Sequence, residues 1–108
     1  MEFRAVNAIV RTHILREVEK RLRGMGVKGI TVCQVKGFGE EKALLREDYL
    51  VTHARIETFA EKTKAEKIAN AIMEVAHTGG PGDGMVCILP VEKVFRIRTK
   101  SEATLDDV

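Results

Sequence analysis

The pattern of apolar and polar positions predicts a strand and then a helix at the start of the chain. Residues 3–10, FRAVNAIV, alternate apolar and polar side chains before becoming wholly apolar, which is typical of a strand. Residues 13–25 follow the spacing of an amphipathic helix, with apolar positions at Ile14, Leu15, Val18, Leu22 and Met25. Thr12 is a candidate N-cap for this helix, and Gly24 and Gly26 predict its end.

Two further strands are predicted, with a charged connection between them. Residues 29–38, GITVCQVKGF, include β-branched residues typical of a strand and predict the second one. Residues 39–48 are charged and have no strong period, which predicts an exposed connection. Residues 49–59 alternate again, with Ala54 and Ile56 on one side of the third strand. The other side is polar and carries His53, Arg55 and Glu57.

The second helix has the clearest start signal in the chain. Thr63 and Glu66 fit a capping box, which predicts that the helix begins there. The apolar stripe of this helix comprises Ala65, Ile68, Ala69, Ile72, Met73 and Ala76. Residues 77–80 predict its end, and two short strands are predicted over residues 85–91 and 94–99.

The order βαββαβ, with a small extra strand, predicts an α+β fold of the ferredoxin-like type. In that fold an antiparallel sheet carries both helices on one face, so the other face must be polar or covered. The first strand is apolar on both faces, with Val6, Ala8 and Val10 on one and Ala5 and Ile9 on the other. Because an exposed apolar face favours association, we hypothesise an oligomer whose subunits pack through their sheets.

Length and charge limit the classes of protein that the sequence can represent. The chain has 108 residues, so we expect one domain over residues 1–99, with an exposed arm at about 39–50 and a polar tail over 100–108. The formal net charge is only +2, so a nucleic-acid partner is not expected. No apolar run reaches the roughly 20 residues of a membrane span, and the start lacks the layout of a signal peptide. We therefore expect a cytoplasmic protein without membrane insertion.

The two cysteines, Cys33 and Cys87, lie far apart in strand-like runs. In a reducing compartment a disulfide is unexpected, and buried free thiols are the default interpretation. The chain has no CxxC or HxxxH spacing, so the sequence does not support a zinc site.

Three short stretches could bind an anion, and each also has a purely structural interpretation. KGFGEE at 36–41 ends a strand with glycines that permit close backbone approach, or it is simply a turn. TGGPGDG at 78–84 follows a helix C-terminus, so it is not a P-loop; it forms a turn or directs N–H groups at an anion. In FRIRT at 95–99, Arg96 and Arg98 would share one face of a strand and suit a phosphate, or pair with surface carboxylates.

Taken together and in this order, the three stretches resemble the PII signal-transduction family over about residues 5–99. AIVRTHILREVEKRLRGMGVKGITVCQVKGFG is similar to the first strand, helix and second strand of that family, and HTGGPGDGMVCILPVEKVFRIRT is similar to its second signature. The resemblance implies a homotrimer of ferredoxin-like subunits that binds an adenine nucleotide (ATP, ADP, AMP or cyclic AMP) in each cleft between subunits. It also implies a regulator rather than an enzyme.

The resemblance assigns residues of this chain to the nucleotide and to a partner protein. The adenine and ribose side would be contacted by Ile9, Gly29, Ile30 and Thr31, and the base of the arm would supply Gly37, Phe38 and Gly39. The phosphate side would comprise Thr78, Gly82, Asp83, Gly84, Met85, Arg96 and Arg98. The arm would dock on a transporter or metabolic enzyme through Glu40, Glu41, Lys42, Leu44, Leu45, Arg46 and Tyr49.

Several positions depart from the family pattern. Glu40 and Glu41 replace an Arg-Gln pair, and two carboxylates would repel the dicarboxylate 2-oxoglutarate unless a metal intervened. His53 falls near a lysine that contacts 2-oxoglutarate, and Met85 replaces a lysine that contacts the polyphosphate. Tyr49 aligns loosely with a tyrosine that some members modify, but the arm is shorter here. These departures predict that adenine binding is retained and that polyphosphate and 2-oxoglutarate binding is weakened, so ADP, AMP or cyclic AMP would bind as well as ATP or better. Mg²⁺ is a possible companion of ATP.

Three other functions compete with this interpretation. The first is an ordinary nitrogen-regulatory PII with a trimmed arm, which would sense ATP, ADP and 2-oxoglutarate. The second is a hydrolase of the acylphosphatase type, which would need an asparagine beside a phosphate loop, and neither Asn7 nor Asn70 is predicted there. The third is RNA binding on the sheet, which four Phe, one Tyr and no Trp disfavour.

Overall fold

The computed structural model describes residues 2–39 and 50–108, which form a four-stranded sheet, two helices and a small C-terminal hairpin. The two α-helices are α1 (Leu15–Gly24) and α2 (Lys62–Ala76). The strands are β1 (Phe3–Arg11), β2 (Thr31–Gly37), β3 (Val51–Glu61), β4 (Met85–Val91), β5 (Phe95–Arg96) and β6 (Ser101–Glu102). Short 3₁₀ turns cover Thr12–Ile14 and Leu105–Asp107.

The main sheet confirms the predicted ferredoxin-like fold. Its strand order is β2-β3-β1-β4, and every neighbouring pair is antiparallel. Both helices cover one face, where Val6, Val10 and Ile56 of the sheet pack with Leu22 and Ile68 of the helices. Burying these apolar side chains is the main force that holds the helices to the sheet.

The opposite face of the sheet carries no helix among the described residues. Ile9, Phe59, Met85 and Leu89 lie on it and are 39%, 41%, 82% and 45% exposed. An apolar surface of this kind is typical of an interface with another molecule. The same register explains why the prediction of buried thiols is wrong: Cys33 and Cys87 are free but exposed, since they lie on this open face opposite Arg55 and Asn7.

The predicted N-caps of both helices are wrong, although both helices exist and α1 ends at Gly24 as predicted. A 3₁₀ turn over Thr12–Ile14 precedes α1, so Thr12 does not cap it. At α2 the N-cap is Glu61, whose carboxylate accepts a 2.8 Å hydrogen bond from the backbone N–H of Thr63. Because this acid satisfies the first turn from one residue before the helix, the capping box of Thr63 and Glu66 is not formed.

The apolar stripe predicted for α2 is correct except at one edge. Met73 is 51% exposed, whereas Ala71, on the other edge, is buried. The buried arc shifts towards Ala71 because α1 packs on that side, where Arg21 pairs with Glu74. Neither helix in the described part of the chain is long and apolar enough to cross a membrane.

The C-terminal part of the chain differs most from its prediction. Strand β5 is only two residues long and pairs with β6, so Arg98 lies in the turn between them and not on a strand face with Arg96. The turn closes at Lys100, which has a positive φ of 55° and donates its N–H to the carbonyl of Arg96 at 2.9 Å. Beyond it the tail is ordered against the domain, with Ala103 only 4% exposed.

Candidate functional site

The glycine-rich segment between α2 and β4 is held together by one carboxylate. Asp83 accepts hydrogen bonds from the backbone N–H groups of Thr78 at 2.8 Å and Gly79 at 2.9 Å, and from the Thr78 hydroxyl. The Thr78 hydroxyl oxygen in turn accepts from the N–H of Gly80 at 3.0 Å. The backbone amides of residues 78–80 are therefore engaged inside the loop.

The surroundings of Asp83 favour its ionised form. The Thr78 hydroxyl, followed by the backbone N–H groups of Thr78 and Gly79, holds the pKa of the Asp83 carboxyl well below its usual range. Arg11 adds positive charge, with its Nη2 3.5 Å from the carboxylate. The Asp83 carboxylate is therefore a fixed negative charge that accepts hydrogen bonds from donors within the loop itself.

Gly84 fixes the end of this loop against the sheet. Its φ is +95°, and a Cβ built there would lie 1.7 Å from the carbonyl oxygen of Ile9. No side chain can be accommodated at that distance, so the loop approaches β1 as closely as it does only because residue 84 is glycine.

The loop and the end of β2 enclose a cavity of about 590 Å³. Its lining residues are Ile9, Val35, Lys36, Gly37, Phe38, Gly39, Val51, His53, Pro81, Gly82, Gly84 and Met85. The walls are mainly apolar, and Lys36 and His53 add polar groups. The Nε2 of His53 lies 3.3 Å from the carbonyl oxygen of Gly82 in the loop. An apolar cavity with a few polar groups is the usual form of a small-molecule site.

The structure brings only part of the predicted nucleotide site together. Seven of the predicted residues line this one cavity: Ile9, Gly37, Phe38, Gly39, Gly82, Gly84 and Met85. Thr78 and Asp83 stabilise the adjoining loop.

Gly29 and Arg96 instead line a separate cleft of about 220 Å³, together with Thr58. Thr58 donates its hydroxyl to the carbonyl of Gly29 at 2.7 Å. On β3, Val51 and His53 border the first cavity and Thr58 and Phe59 the second, so the two sites lie roughly 17–27 Å apart along this strand. One chain therefore presents two halves of the predicted site at opposite ends of its sheet.

The remaining predicted residues are placed as follows. Ile30 lines a small groove beside Leu22 of α1, Thr31 begins β2 opposite Glu57, and Arg98 lies in the turn after β5. The predicted arm residues Glu40, Glu41, Lys42, Leu44, Leu45, Arg46 and Tyr49 lie outside the described residues.

The sequence reasoning missed two groups beside the loop. Lys36 lines the main cavity, and its position at the end of a strand directly before a G-x-G could have identified it. Arg11 reaches Asp83 from the end of β1, and only the three-dimensional path of the loop reveals that contact. Within residues 2–39 and 50–108, no three His, Cys, Asp or Glu side chains are grouped so that they could hold a metal ion.

Acid should weaken the fold through Asp83. Its folded-state pKa is lowered, so its stabilising effect is complete above the unfolded-state pKa of about 3.9 and is lost as the pH falls through the folded-state value. We expect the urea concentration at the unfolding midpoint to decrease when the pH is lowered below about 4. Asp83→Asn should make this midpoint depend less on pH. The pKa values of Glu61 and Asp107 are also lowered, so some dependence will remain. An identical pH profile for wild type and variant would contradict this prediction.

Fold and loop together define a small ferredoxin-like protein with a glycine-lined cavity, and similarity to known proteins gives the family. The family model described as nitrogen regulatory protein P-II matches residues 3–101. A nitrogen regulatory protein P-II of Azospirillum brasilense is 42% identical over 101 residues, covering 87% of this chain and 90% of that protein. The chain therefore belongs to the P-II family, which confirms the resemblance seen in the sequence.

Relatives from a plant agree with this assignment. A P-II homologue of Arabidopsis thaliana is 36% identical over 106 residues, and the match covers 91% of this chain but only 54% of that longer protein. The crystal structure of Arabidopsis thaliana PII bound to citrate is 37% identical in sequence and superposes with a TM-score of 0.83. That match covers 94% of this chain and 89% of the solved one.

Proposed function

We propose that this protein is a P-II-type regulator that binds an adenine nucleotide between subunits and signals to a partner protein. The observation that carries the proposal is the cavity lined by Gly37 and Gly39 from the end of β2, by Gly82 and Gly84 from the loop, and by apolar side chains. Glycines on both sides allow backbone to approach a ligand closely, and the apolar walls suit a flat adenine ring. Family membership favours the same ligand class, as P-II proteins bind ATP and ADP.

A site shared between subunits explains why the predicted residues lie at both ends of the sheet. Gly82 and Gly84 of one subunit would face Gly29 and Arg96 of the next. Packing of the open sheet faces around a threefold axis would bury the exposed Ile9 and Leu89 and place unlike ends side by side. A homotrimer therefore supplies both halves of the cleft.

The contacts within the loop support a preference for short phosphate chains. Because Asp83 and the Thr78 hydroxyl already engage the amides of residues 78–80, phosphate contact falls to the segment 82–84. Met85, which is 82% exposed at the mouth of the cavity, adds no charge. We therefore propose that ADP, AMP or cyclic AMP binds at least as well as ATP, that Mg²⁺ enters only with ATP, and that 2-oxoglutarate adds little.

Signalling would use the arm at about residues 39–50. In this proposal the ligand sets the conformation of the arm, which then docks on a cytoplasmic target, either a transporter or a metabolic enzyme. The proposed roles leave the protein itself without a catalytic step, in keeping with the regulatory character of the family. The nucleotide-binding unit would be the single domain over residues 1–99.

An ordinary nitrogen-regulatory P-II that senses ATP, ADP and 2-oxoglutarate is the second candidate. The names of the relatives favour it, since the Azospirillum and Arabidopsis proteins are both called nitrogen regulatory proteins or homologues. Two departures from the family pattern argue against it. Glu40 and Glu41 follow Gly39 in place of an Arg-Gln pair, and Met85 stands in place of a lysine.

Calorimetric titration separates the two candidates. Purified protein would be titrated with ATP, ADP, AMP and cyclic AMP, each with and without Mg²⁺ and 2-oxoglutarate. We expect at least one of ADP, AMP or cyclic AMP to bind, with 2-oxoglutarate changing its Kd by less than the roughly fivefold that marks ordinary allosteric coupling.

The other results have definite meanings. Tight ATP binding only in the presence of 2-oxoglutarate would establish the nitrogen-sensing candidate instead. Failure of all four nucleotides to bind would refute both.

A further inference from the structure

The last residues of the chain fold onto the cleft that contains Arg96. This cleft is lined on one side by Lys28, Gly29 and Arg96, and on the other by Asp106, Asp107 and Val108. The C-terminal segment over residues 103–108 thus covers one of the two halves of the proposed nucleotide site.

The segment is held in a defined conformation. The N–H of Ala103 donates to the carbonyl of Val94 at 2.8 Å, and the side chain of Ala103 is buried. Thr104 and Asp107 then form a capping box, in which the N–H of Thr104 donates to Oδ2 of Asp107 at 2.7 Å and the N–H of Asp107 donates to the side chain of Thr104. The N–H of Asp107 also donates to the main-chain carbonyl of Thr104 at 3.0 Å. These contacts aim the Asp107 carboxylate into the cleft.

Both cations of the cleft are engaged by this segment. The Nε of Arg96 lies 3.5 Å from Oδ1 of Asp107, in a pair whose side chains are 43% and 26% exposed. The ammonium of Lys28 donates to the main-chain carbonyl of Asp106. A guanidinium that meets a carboxylate in this way presents the same donors that it would offer to a phosphate.

We propose that residues 103–108 act as an internal competitor for the anionic ligand, with Asp107 occupying Arg96 in place of a phosphate group. The inference rests on the proposed function, which assigns Arg96 to the nucleotide. Binding of the nucleotide then requires the Asp107 carboxylate to leave Arg96, so the tail lowers the apparent affinity and moves when the site fills.

The test compares two isosteric substitutions that each remove one negative charge, one facing Arg96 and one away from it. Asp107→Asn removes the charge facing Arg96, and its amide oxygen can still accept from Thr104. Glu102→Gln is the matched control: it also removes one negative charge, and its carboxylate lies outside the cleft, 3.6 Å from the ammonium of Lys93 in a pair whose side chains are 62% and 65% exposed. Both variants and the wild type would be titrated calorimetrically with ADP at low and high salt.

We expect Asp107→Asn to bind ADP about two- to fivefold more tightly than wild type at low salt, the range set by a partly exposed ion pair, with the gain shrinking at high salt. Glu102→Gln should match the wild type. If ADP binds and the two variants have equal affinities, the competitor role is wrong while the nucleotide site stands. If neither variant nor wild type binds ADP, ATP, AMP or cyclic AMP, the competitor role falls together with the proposed function.

A third variant separates competition from a change in tail structure. In an Arg96→Gln background the carboxylate has no guanidinium to occupy, so adding Asp107→Asn should leave the affinity for ADP unchanged. If Asp107→Asn tightened binding by the same factor in both backgrounds, Asp107 would act by some route other than Arg96, and the proposal would be overturned.

Discussion

Replacing Gly84 by alanine is expected to destabilise the protein by about 3 kcal/mol or more. The new Cβ would lie 1.7 Å from the carbonyl oxygen of Ile9, at a φ of +95° that L residues rarely adopt. The atoms that the new Cβ meets all belong to the backbone of β1, so relief requires the loop to lift from β1 or the strand to bend. Urea unfolding at a fixed protein concentration measures the loss, and nucleotide binding should be lost with it.

Gly79→Ala is the matched control for this prediction. Gly79 has a similar φ of +90°, but a Cβ built there meets nothing within 4 Å. Alanine at 79 should therefore cost only the conformational strain, about 1–2 kcal/mol. Equal destabilisation by the two substitutions would mean that the contact with Ile9 is not what makes glycine necessary at position 84.

Asp83→Ala is expected to weaken nucleotide binding by about tenfold or more, because the loop would lose the internal acceptor that orders it before the ligand arrives. Three donors, the N–H groups of Thr78 and Gly79 and the Thr78 hydroxyl, would be left without their carboxylate. Calorimetry of the variant with ADP measures the loss, and hydrogen exchange at residues 78–80 should rise in parallel.

His77→Ala serves as the control for Asp83. The Nδ1 of His77 lies 3.8 Å from the same carboxylate, but the side chain is 75% exposed, so its removal should change the affinity for ADP little. If Asp83→Ala bound ADP as well as His77→Ala does, the Asp83 carboxylate would have no role in shaping the site.

The sequence was sufficient for the fold because hydrophobic period decides which elements exist. The alternation around Ala54 and Ile56, and the helical spacing from Ala65 to Ala76, correspond to faces that the structure buries. Element ends were not predictable in the same way. Glu61 caps α2 with a side chain that usually lies inside a helix, and Arg98 left its expected strand because a turn at Lys100 closes a hairpin.

The sequence predicted only some of the residues that line the candidate cavity, and it did not predict the geometry. The expectation that KGFG and GDG could share a site agrees with the cavity that both line, since the end of β2 and the start of β4 lie at the same end of the sheet although these are its two edge strands. The direction of the Asp83 carboxylate depends on the path of the loop backbone, which the letters TGGPGDG do not specify. Likewise, no local sequence pattern indicated that the tail reaches Arg96. The contact between Asp107 and Arg96 depends on the packing of Ala103, which holds the tail against the domain.

The separation of the two clefts along β3 has a consequence for mass action. Under the proposed assembly a complete site exists only where two chains meet. Ligand binding is therefore coupled to the association of subunits. Ligand that bridges two chains stabilises the assembly, and dilution that separates the chains removes the site. A partner that binds only the assembled form would then respond to nucleotide level and protein concentration together.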